Sequence, residues 1–326
     1  MEEQKYFQNR IDLSELVVSV DSVKGEIGNI IIGQHKVIDL LLAAILADGH
    51  VLIEGVPGTA KTLTAKLLAK TLNVEFSRIQ FTPDLMPSDV LGTTIYNPIT
   101  IDFEFRKGPI FSNFILIDEI NRAPAKTQSA LFEVMEERQV TVDGITHTLA
   151  PPFFVIGTQN PVDHEGTYRL PEAQLDRFMF KLEINYPSLE EEILVLNRFN
   201  RFDTTDPVKM IHSVLSSEKL AEFKLKVRSV LVSDDIIKFI AQITDKTRNS
   251  KDLFLGASTR ASLAILNSSK AIAALRGRDF VTPDDVKYVA SPVLNHRVIL
   301  TPENEMEGKT NETVISYIVS QVEIPR

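Results

Sequence analysis

The sequence predicts an α/β fold, a mostly parallel sheet between helices, followed by a smaller domain built from helices alone. Short apolar runs alternate with segments of helical periodicity in the first part of the chain, as in parallel sheets with crossover helices. After position 187 the strand-like runs vanish and amphipathic helical patterns take over. A chain of 326 residues is also longer than one hydrophobic core usually serves. We therefore predict two domains, residues 1–187 and 188–326.

The first domain begins with two predicted helices. Apolar residues recur at helical spacing between Leu13 and Ile32, and a second helix runs from about Gln34 to a glycine cap at Gly49. Five short apolar runs are then typical of buried strands, at residues 50–54, 76–81, 114–118, 153–159 and 179–184. Further helices are predicted between several of these strands, at residues 61–72 and 124–138.

Two hairpin inserts interrupt the alternation of strands and helices, at residues 93–109 and 138–149. The second contains Asp143-Gly144, a strong signal for a tight turn. The first is rich in apolar side chains: Ile95, Tyr96, Phe103 and Phe105. These side chains fit equally well two roles, cross-strand pairs within the hairpin and a surface offered to a protein client.

Helical periodicity dominates the second domain. Amphipathic patterns predict helices at residues 233–248, 258–277 and 281–289. The last of these has clear start signals, because Thr282 can act as an N-cap and Pro283 suits the first helical turn.

The composition narrows the possible functions. A formal net charge of −9 makes a nucleic-acid partner unfavourable, although a local basic groove would override that. The absence of cysteine excludes disulfides, thiolate nucleophiles and Cys-ligated metals, and it fits a cytoplasmic protein. The first ten residues do not resemble a signal peptide, and the longest apolar run, residues 37–47, is too short to span a bilayer. The histidines show no metal-ligand spacing, so we expect no structural metal.

Residues 55–62, GVPGTAKT, differ from a phosphate-binding loop at one position. The P-loop pattern G-x-x-x-x-G-K-[ST] has glycine before the lysine, and here Ala60 stands there. The glycines would allow backbone N–H groups to approach phosphate, Lys61 would reach the β- and γ-phosphates, and Thr62 would offer its hydroxyl to Mg²⁺. The alternative is a Pro-Gly turn capped by a helix.

Ala60 keeps the backbone N–H that a glycine would supply. Its methyl group is tolerated most easily where φ is negative. We therefore predict a negative, helix-like φ at Ala60. A positive value would reopen the question of whether this loop binds phosphate.

Two carboxylates follow the third predicted strand and strengthen the P-loop interpretation. Asp118 ends that strand and Glu119 follows it directly. P-loop NTPases need an aspartate at the tip of a neighbouring strand to hold Mg²⁺ through water. A glutamate beside it can polarise the attacking water as a general base. The alternative is an ordinary pair of acidic residues at the end of a strand.

Three more polar residues are candidates, each with a structural alternative. Asn160 follows another apolar strand, where its amide could hold the attacking water, but Asn-Pro is also common in turns. Arg177 could stabilise charge on a transferring phosphoryl group, or form a surface ion pair with Asp176 or Glu172. Arg260 lies in the first turn of a helix, where the helix dipole disfavours a cation, so a ligand anion would explain it.

The chain resembles the MoxR family of AAA+ ATPases through an ordered set of segments: GVPGTAKT, FILIDEINRAPAKTQSALFEVMEERQVT, TQNP, EGTYRLPEAQLDRF and GASTRA. The similarity runs from IIGQ at residues 31–34 to FVTPDDVKYVA at residues 280–290. The resemblance implies an AAA+ P-loop NTPase core followed by a helical lid domain. Alanine commonly precedes the P-loop lysine in that family, so Ala60 agrees with it.

The resemblance implies roles for individual residues. Lys61 and Thr62 match Walker A, Asp118 and Glu119 match Walker B, and Mg²⁺ would be held by Thr62 and Asp118. The implied catalytic residues are Lys61, Glu119, Asn160 as sensor 1, and Arg177 as an arginine finger that reaches a neighbouring subunit. The implied nucleotide-binding residues are Gly33, Gln34, Gly55, Val56, Pro57, Gly58, Thr59, Ala60, Lys61, Thr62, Leu63 and, as sensor 2, Arg260.

Two features remain open under this resemblance. The family usually has proline where this chain has Arg169, so Arg169 competes with Arg177 for the finger role, as does Arg122. The hairpins match the helix-2 insert and the pre-sensor-1 insert, but the sequence does not assign them a role.

The resemblance implies Mg·ATP hydrolysis in a hexameric ring, with ATP bound between core and lid. It also implies a chaperone-like or metal-insertion role with a von Willebrand factor A-domain partner and a protein client. One rival is a nucleic-acid-translocating AAA+ motor or chelatase-type subunit. Another is a nucleotide-dependent scaffold without useful turnover, against which the intact Glu119 argues.

Overall fold

The computed structural model describes residues 11–160, 168, 170–201 and 206–325. Helices and strands alternate up to Ile184, and helices dominate from there onwards. In chain order the elements are α1 (Ser14–Gly28), α2 (His35–Leu46), β1 (His50–Gly55), α3 (Lys61–Thr71), β2 (Phe76–Gln80), α4 (Pro87–Leu91), β3 (Gly92–Asn97), β4 (Asp102–Lys107), β5 (Phe114–Asp118), α5 (Ala125–Glu137), β6 (Gln139–Val142), β7 (Ile145–Thr148), β8 (Phe154–Gln159), α6 (Glu172–Leu175), β9 (Phe178–Ile184), α7 (Leu189–Arg201), α8 (Ser217–Arg228), α9 (Asp234–Arg248), β10 (Leu253–Leu255), α10 (Thr259–Leu275), α11 (Pro283–Leu294), β11 (Ile299–Leu300), α12 (Pro302–Met306) and α13 (Asn311–Ser320).

Five parallel strands form the central sheet in the order β2-β5-β8-β1-β9. They are the five predicted strands, with ends that differ by one residue at most. The α/β fold class is therefore confirmed. The register between β1 and β9 decides which segments lie at the same edge of the sheet. His50 pairs with Phe178 at the amino edge, and Gly55 pairs with Ile184 at the carboxyl edge.

The sheet is buried on both faces, which explains why its strands are continuous apolar runs. Successive side chains of a strand point to opposite faces. In β1, Val51 and Ile53 join a core shared with α1, α2, α3 and the C-terminal helices, whereas Leu52 joins a second core with α5. Both faces are thereby covered by helices.

Both predicted hairpins are present, as the antiparallel pairs β3–β4 and β6–β7. They touch each other, since Thr94 Oγ1 donates to Asp143 Oδ2 at 2.6 Å and Phe105 stacks on His147 at 4.4 Å between ring centroids. The side chains of Ile99 and Ile101, between β3 and β4, are exposed.

The C-terminal region is predominantly helical, and α10 packs against α1, α2, α8, α9 and α11. Helix α11 has Thr282 at its N-cap and Pro283 at its first position, as predicted. This region also contains one short antiparallel pair, β10–β11, that the sequence did not suggest. The domain boundary near residue 187 stays a prediction. Among the described residues, no helix is long and apolar enough to cross a membrane.

Arg297, which follows α11, fastens the helical region to the start of β9. Its buried guanidinium pairs with Asp176 Oδ1 at 2.6 Å and donates to the carbonyl oxygens of Phe178 at 2.6 Å and Met179 at 3.1 Å. Burial lowers the pKa of Arg297, and the Asp176 carboxylate opposes that shift. A buried cation with this many partners holds two parts of the fold in one arrangement.

We predict that Arg297→Ala lowers the free energy of unfolding by about 3 kcal/mol, because it leaves the partly buried carboxylate of Asp176 without its nearest cationic partner and the carbonyl oxygen of Met179 without its guanidinium donor. Denaturant unfolding measures the loss. The matched control is Lys238→Ala, whose ion pair with Asp235 is exposed and should contribute less than about 0.5 kcal/mol. Equal, small losses in both variants would contradict the fastening role.

Candidate nucleotide-binding site

The loop predicted to bind phosphate, called the phosphate loop below, joins the end of β1 to the start of α3 at the carboxyl edge of the sheet. Lys61 is the first residue of α3, and its ammonium donates to the carbonyl oxygens of Gly55 and Val56, the latter at 2.9 Å. Partial burial lowers the pKa of Lys61, while the carboxylates of Asp118 and Glu119 raise it. The lysine and the two carboxylates therefore share one electrostatic environment.

The prediction of a negative φ at Ala60 is wrong. Its φ is 60° and its ψ is 18°, in the left-handed region, and Gly58 also has a positive φ of 87°. The physical reason is the junction itself: the chain must turn from an extended strand into a helix within a few residues, and the residue before the helix takes up that turn. A glycine would adopt this conformation freely, whereas an L-residue pays roughly 1–2 kcal/mol for it.

The positive φ concerns strain and does not remove a donor, because alanine keeps its N–H. Three hydrogen bonds hold the loop around it. Thr59 Oγ1 donates to Val56 O at 2.9 Å, Thr64 Oγ1 donates to Ala60 O at 3.1 Å, and Gln34 Nε2 donates to Thr59 O at 3.2 Å. A strained residue persists where its surroundings fix the backbone in this way.

Asp118 ends β5 beside the loop and is buried. Thr158 Oγ1 donates to its Oδ1 at 3.1 Å, and Arg78 Nε donates to its Oδ2 at 2.6 Å. The sequence pointed to neither partner, because both come from neighbouring strands. Knowledge of the β2–β5 and β5–β8 registers would have been needed to find them.

Glu119 also has a left-handed backbone, with φ 57° and ψ 51°. Its Oε2 accepts hydrogen bonds from Gln80 Nε2 at 2.9 Å and from Arg122 Nη1 at 2.8 Å. Thr158 Oγ1 in addition accepts the Glu119 N–H at 3.1 Å. Arg122, one of the three candidate fingers, is thus placed against the Glu119 of its own chain.

Asn160 follows β8 directly and is half-buried. Strand β8 lies between β1 and β5, so Asn160 is at the same carboxyl edge, between the phosphate loop and Asp118. Thr62 is in the first turn of α3 at this edge. A threonine hydroxyl and one carboxylate suit Mg²⁺, which takes few protein oxygens and completes its shell with water and phosphates.

A cavity of about 420 Å³ adjoins the phosphate loop. Its walls come from the loop, from the segment before α2, from the end of β9 and from α7, and they include Ile31, Gly33, Gln34, Leu63, Val195 and Phe199. Gly33 has a φ of 78°, and a Cβ there would lie 2.1 Å from a carboxylate oxygen of Glu191. The buried Oε1 of Gln34 has no hydrogen-bond partner. The cavity has room and a free acceptor for a nucleoside.

Arg177 and Arg260 lie at the other edge of the sheet. Arg177 immediately precedes β9, whose first residue pairs with His50, whereas the phosphate loop begins beyond Gly55. The six-residue strand β1 separates the two edges by about 17 Å. The structure therefore does not bring either arginine to the phosphate loop of its own chain.

The two arginines instead share one carboxylate. Arg177 Nη1 donates to Glu136 Oε2 at 2.8 Å, and Arg260 Nη2 donates to Glu136 Oε1 at 3.1 Å. Glu136 is on α5 and was not among the residues singled out from the sequence. Arg169, the third candidate finger, lies outside the described residues.

Comparisons with known proteins identify the family and the fold. The family described as "ATPase family associated with various cellular activities (AAA)" matches residues 50–180, and an AAA lid domain matches residues 245–318. The chain is 48% identical to the uncharacterized protein YeaC of Bacillus subtilis, covering 92% of each chain. It is 42% identical to Chaperone MoxR1 of Mycobacterium tuberculosis, covering 92% of this chain and 81% of the relative. The crystal structure of a candidate ATPase from Cytophaga hutchinsonii superposes with a TM-score of 0.89 at 43% identity, covering 96% of this chain and 97% of the other.

We predict that Ala60→Gly raises the free energy of unfolding by up to about 1 kcal/mol, because glycine relieves the left-handed strain by more than its chain entropy costs. The matched control is Ala241→Gly in the interior of α9, which should lower stability by about 1 kcal/mol. Thermal or denaturant unfolding distinguishes the two. Destabilisation of the same size at both positions would argue against a left-handed Ala60.

Proposed function

Since the chain belongs to the MoxR family of AAA+ ATPases, we propose that it binds Mg·ATP at the carboxyl edge of its sheet and hydrolyses it. The observation that carries the proposal is the convergence of four groups at that edge. They are the phosphate loop with Lys61, the carboxylates of Asp118 and Glu119, and the amide of Asn160.

The binding half of the mechanism follows from charge. The ammonium of Lys61 and the N-terminus of α3 are both positive, so they offset phosphate charge where the loop N–H groups meet it. Thr62 and Asp118 would hold Mg²⁺, which when bound neutralises phosphate oxygens. The nucleoside would occupy the adjoining cavity, where Gln34 Oε1 can accept from an exocyclic amine.

The hydrolysis step requires a general base that activates the attacking water. We assign that role to Glu119, whose carboxylate is held near the site by Gln80 and Arg122. Asn160 would hold the attacking water by hydrogen bonds. The intact glutamate favours turnover over a scaffold that only binds nucleotide.

We propose that the site is completed by a second copy of the chain. Arg177 and Arg260 lie at the edge of the sheet opposite the phosphate loop of their own chain, and the strand β1 between the two edges is about 17 Å long. A head-to-tail ring would present them to the next copy's nucleotide, where they would stabilise charge on the transferring phosphoryl group. The family resemblance implies a hexamer. Sensor 2 would then act between subunits.

We further propose a chaperone-like action on a protein client. A relative is named Chaperone MoxR1, and the tip of the β3–β4 hairpin supports a contact surface. Ile101 there is exposed and has a positive φ of 55°, a conformation that is costly for a β-branched residue. Ile99 and Phe103 of the same hairpin are also exposed, and clustered exposed apolar residues mark contact surfaces. The net charge of −9 disfavours a nucleic-acid motor.

We predict that Glu119→Gln retains ATP binding and lowers turnover by at least about a hundredfold, because the amide cannot accept the proton of water. Lys61→Ala should lose both ATP binding and turnover. The matched control is Lys66→Ala, an exposed lysine on the same helix, which should leave both unchanged. Phosphate release measures turnover and a fluorescent nucleotide measures binding. Full turnover in Glu119→Gln would refute the assignment of the base.

We predict that Arg177→Ala lowers turnover by about a thousandfold, and that mixing it with Glu119→Gln restores activity. In the mixture, a pocket with intact Glu119 meets a neighbour with intact Arg177. In a ring assembled at random from equal amounts of the two variants, about a quarter of the head-to-tail contacts join an intact Glu119 to an intact Arg177 of the neighbour. If arginine acted within its own chain, two inactive variants would stay inactive together. Full activity of Arg177→Ala alone would remove this arginine from the site.

A further inference from the structure

Helix α7 exposes an apolar stripe. Leu189, Ile193 and Leu196 recur at intervals of four and three residues, and their exposed fractions are 75%, 48% and 64%. Side chains at this spacing lie on one face of a helix. Its first turn adds Glu190 and Glu192, which are also exposed. The outer face of α7 is thus apolar with an acidic end.

The inner face of the same helix belongs to the nucleotide cavity. Glu191, Val195 and Phe199 line that cavity beside the phosphate loop. A surface helix that packs only against its own domain normally has one apolar face. Helix α7 has a second, and contiguous exposed apolar residues on a folded domain mark contact surfaces.

A complementary surface surrounds Arg260. Leu263 follows it by three residues on the same face of α10 and is 54% exposed, and Phe254, shortly before this helix, is 77% exposed. Two exposed cations lie on the chain just before β10: Arg248, the last residue of α9, and Lys251 in the segment that follows it. This second surface is therefore apolar with basic residues.

We propose that the α7 stripe of one copy docks on the surface around Arg260 of the next copy, apolar face against apolar face and acidic residues against basic ones. The proposal rests on the shared site proposed above. If Arg260 approaches a neighbour's nucleotide, the residues around it must meet the rim of that neighbour's cavity, and α7 forms one wall of it. The contact is heterologous, so each copy contributes both surfaces.

This arrangement places nucleotide and neighbour on the two faces of one helix. Whatever fixes α7 from the cavity side therefore favours docking on the outer side. By linkage, docking favours nucleotide binding to the same extent. We expect nucleotide to promote assembly through this helix.

The test uses a repulsive charge on each surface in the full chain. Leu196→Lys places a cation opposite Arg248 and Lys251, and Leu263→Glu places an anion opposite Glu190 and Glu192. Each variant should weaken assembly with a non-hydrolysable ATP analogue at least tenfold, measured by analytical ultracentrifugation, and lose turnover. Nucleotide binding by the dilute chain should persist, which shows that the variants are folded. If Leu196→Lys does not fold, Ile193→Lys replaces it.

The matched control is Leu225→Lys, a leucine on α8 that is 62% exposed and lies outside both surfaces. It should assemble and turn over like the unaltered chain. Mixing Leu196→Lys with Leu263→Glu should restore activity to at most about half of the pockets, because each mixed pair keeps one intact contact.

Normal assembly of Leu196→Lys and Leu263→Glu would overturn the proposal, and would mean that something else covers the stripe, such as residues 1–10 or another protein. Failure of the mixture would overturn it too. The shared site is judged separately by the mixture of Arg177→Ala with Glu119→Gln. If that mixture works while the surface variants assemble normally, only the docking surface is wrong.

Discussion

The parallel direction of all five sheet strands is the constraint on which the rest of the site depends. The carboxyl ends of parallel strands meet at one edge, so the residues that follow β1, β5 and β8 come together there. Segments that precede strands collect at the opposite edge, as Arg177 does before β9. A chain with phosphate-binding groups at one edge and arginines at the other cannot bring them together by itself. Under the proposed shared site, assembly of copies would do so, and turnover would then depend on concentration and on neighbours.

Hydrogen bonds between strands hold the carboxyl edge in position. Asp118 is fixed from both sides, by Arg78 of β2 and by Thr158 of β8, and Glu119 is fixed by Gln80 and by Arg122. Because these donors belong to different elements, a shift of one strand would move both carboxylates. This rigid arrangement includes strained backbone, since Ala60 and Glu119 both have left-handed backbone conformations. Strained backbone at such positions is characteristic of functional sites.

Much of this could be predicted from the sequence, where the signal is local. The buried strands, the N-cap at Thr282 and the loop around Lys61 depend on neighbouring residues along the chain. The backbone of Ala60 was predicted wrongly because the geometry of the strand–helix junction, and not the preference of alanine, sets its φ. Arg78, Gln80 and Glu136 were missed because their partners in these clusters are at least 39 positions away along the chain. Only strand register and helix packing bring such residues together, and neither has a local pattern.

The arginine cluster at the amino edge of the sheet is consistent with the proposed action of Arg177 and Arg260 on a neighbouring copy. Among the described residues, Arg177, Arg260 and Arg297 form ion pairs with two carboxylates, those of Glu136 and Asp176, so three positive charges share two negative ones. Arg297 is buried and committed to Asp176 and strand carbonyls, so the excess charge falls on the two more exposed arginines. Glu136 orients both of them yet can neutralise only one. A phosphate group of a neighbouring copy's nucleotide would supply the missing negative charge, and the arginines would reach it without first breaking a fully balanced ion pair.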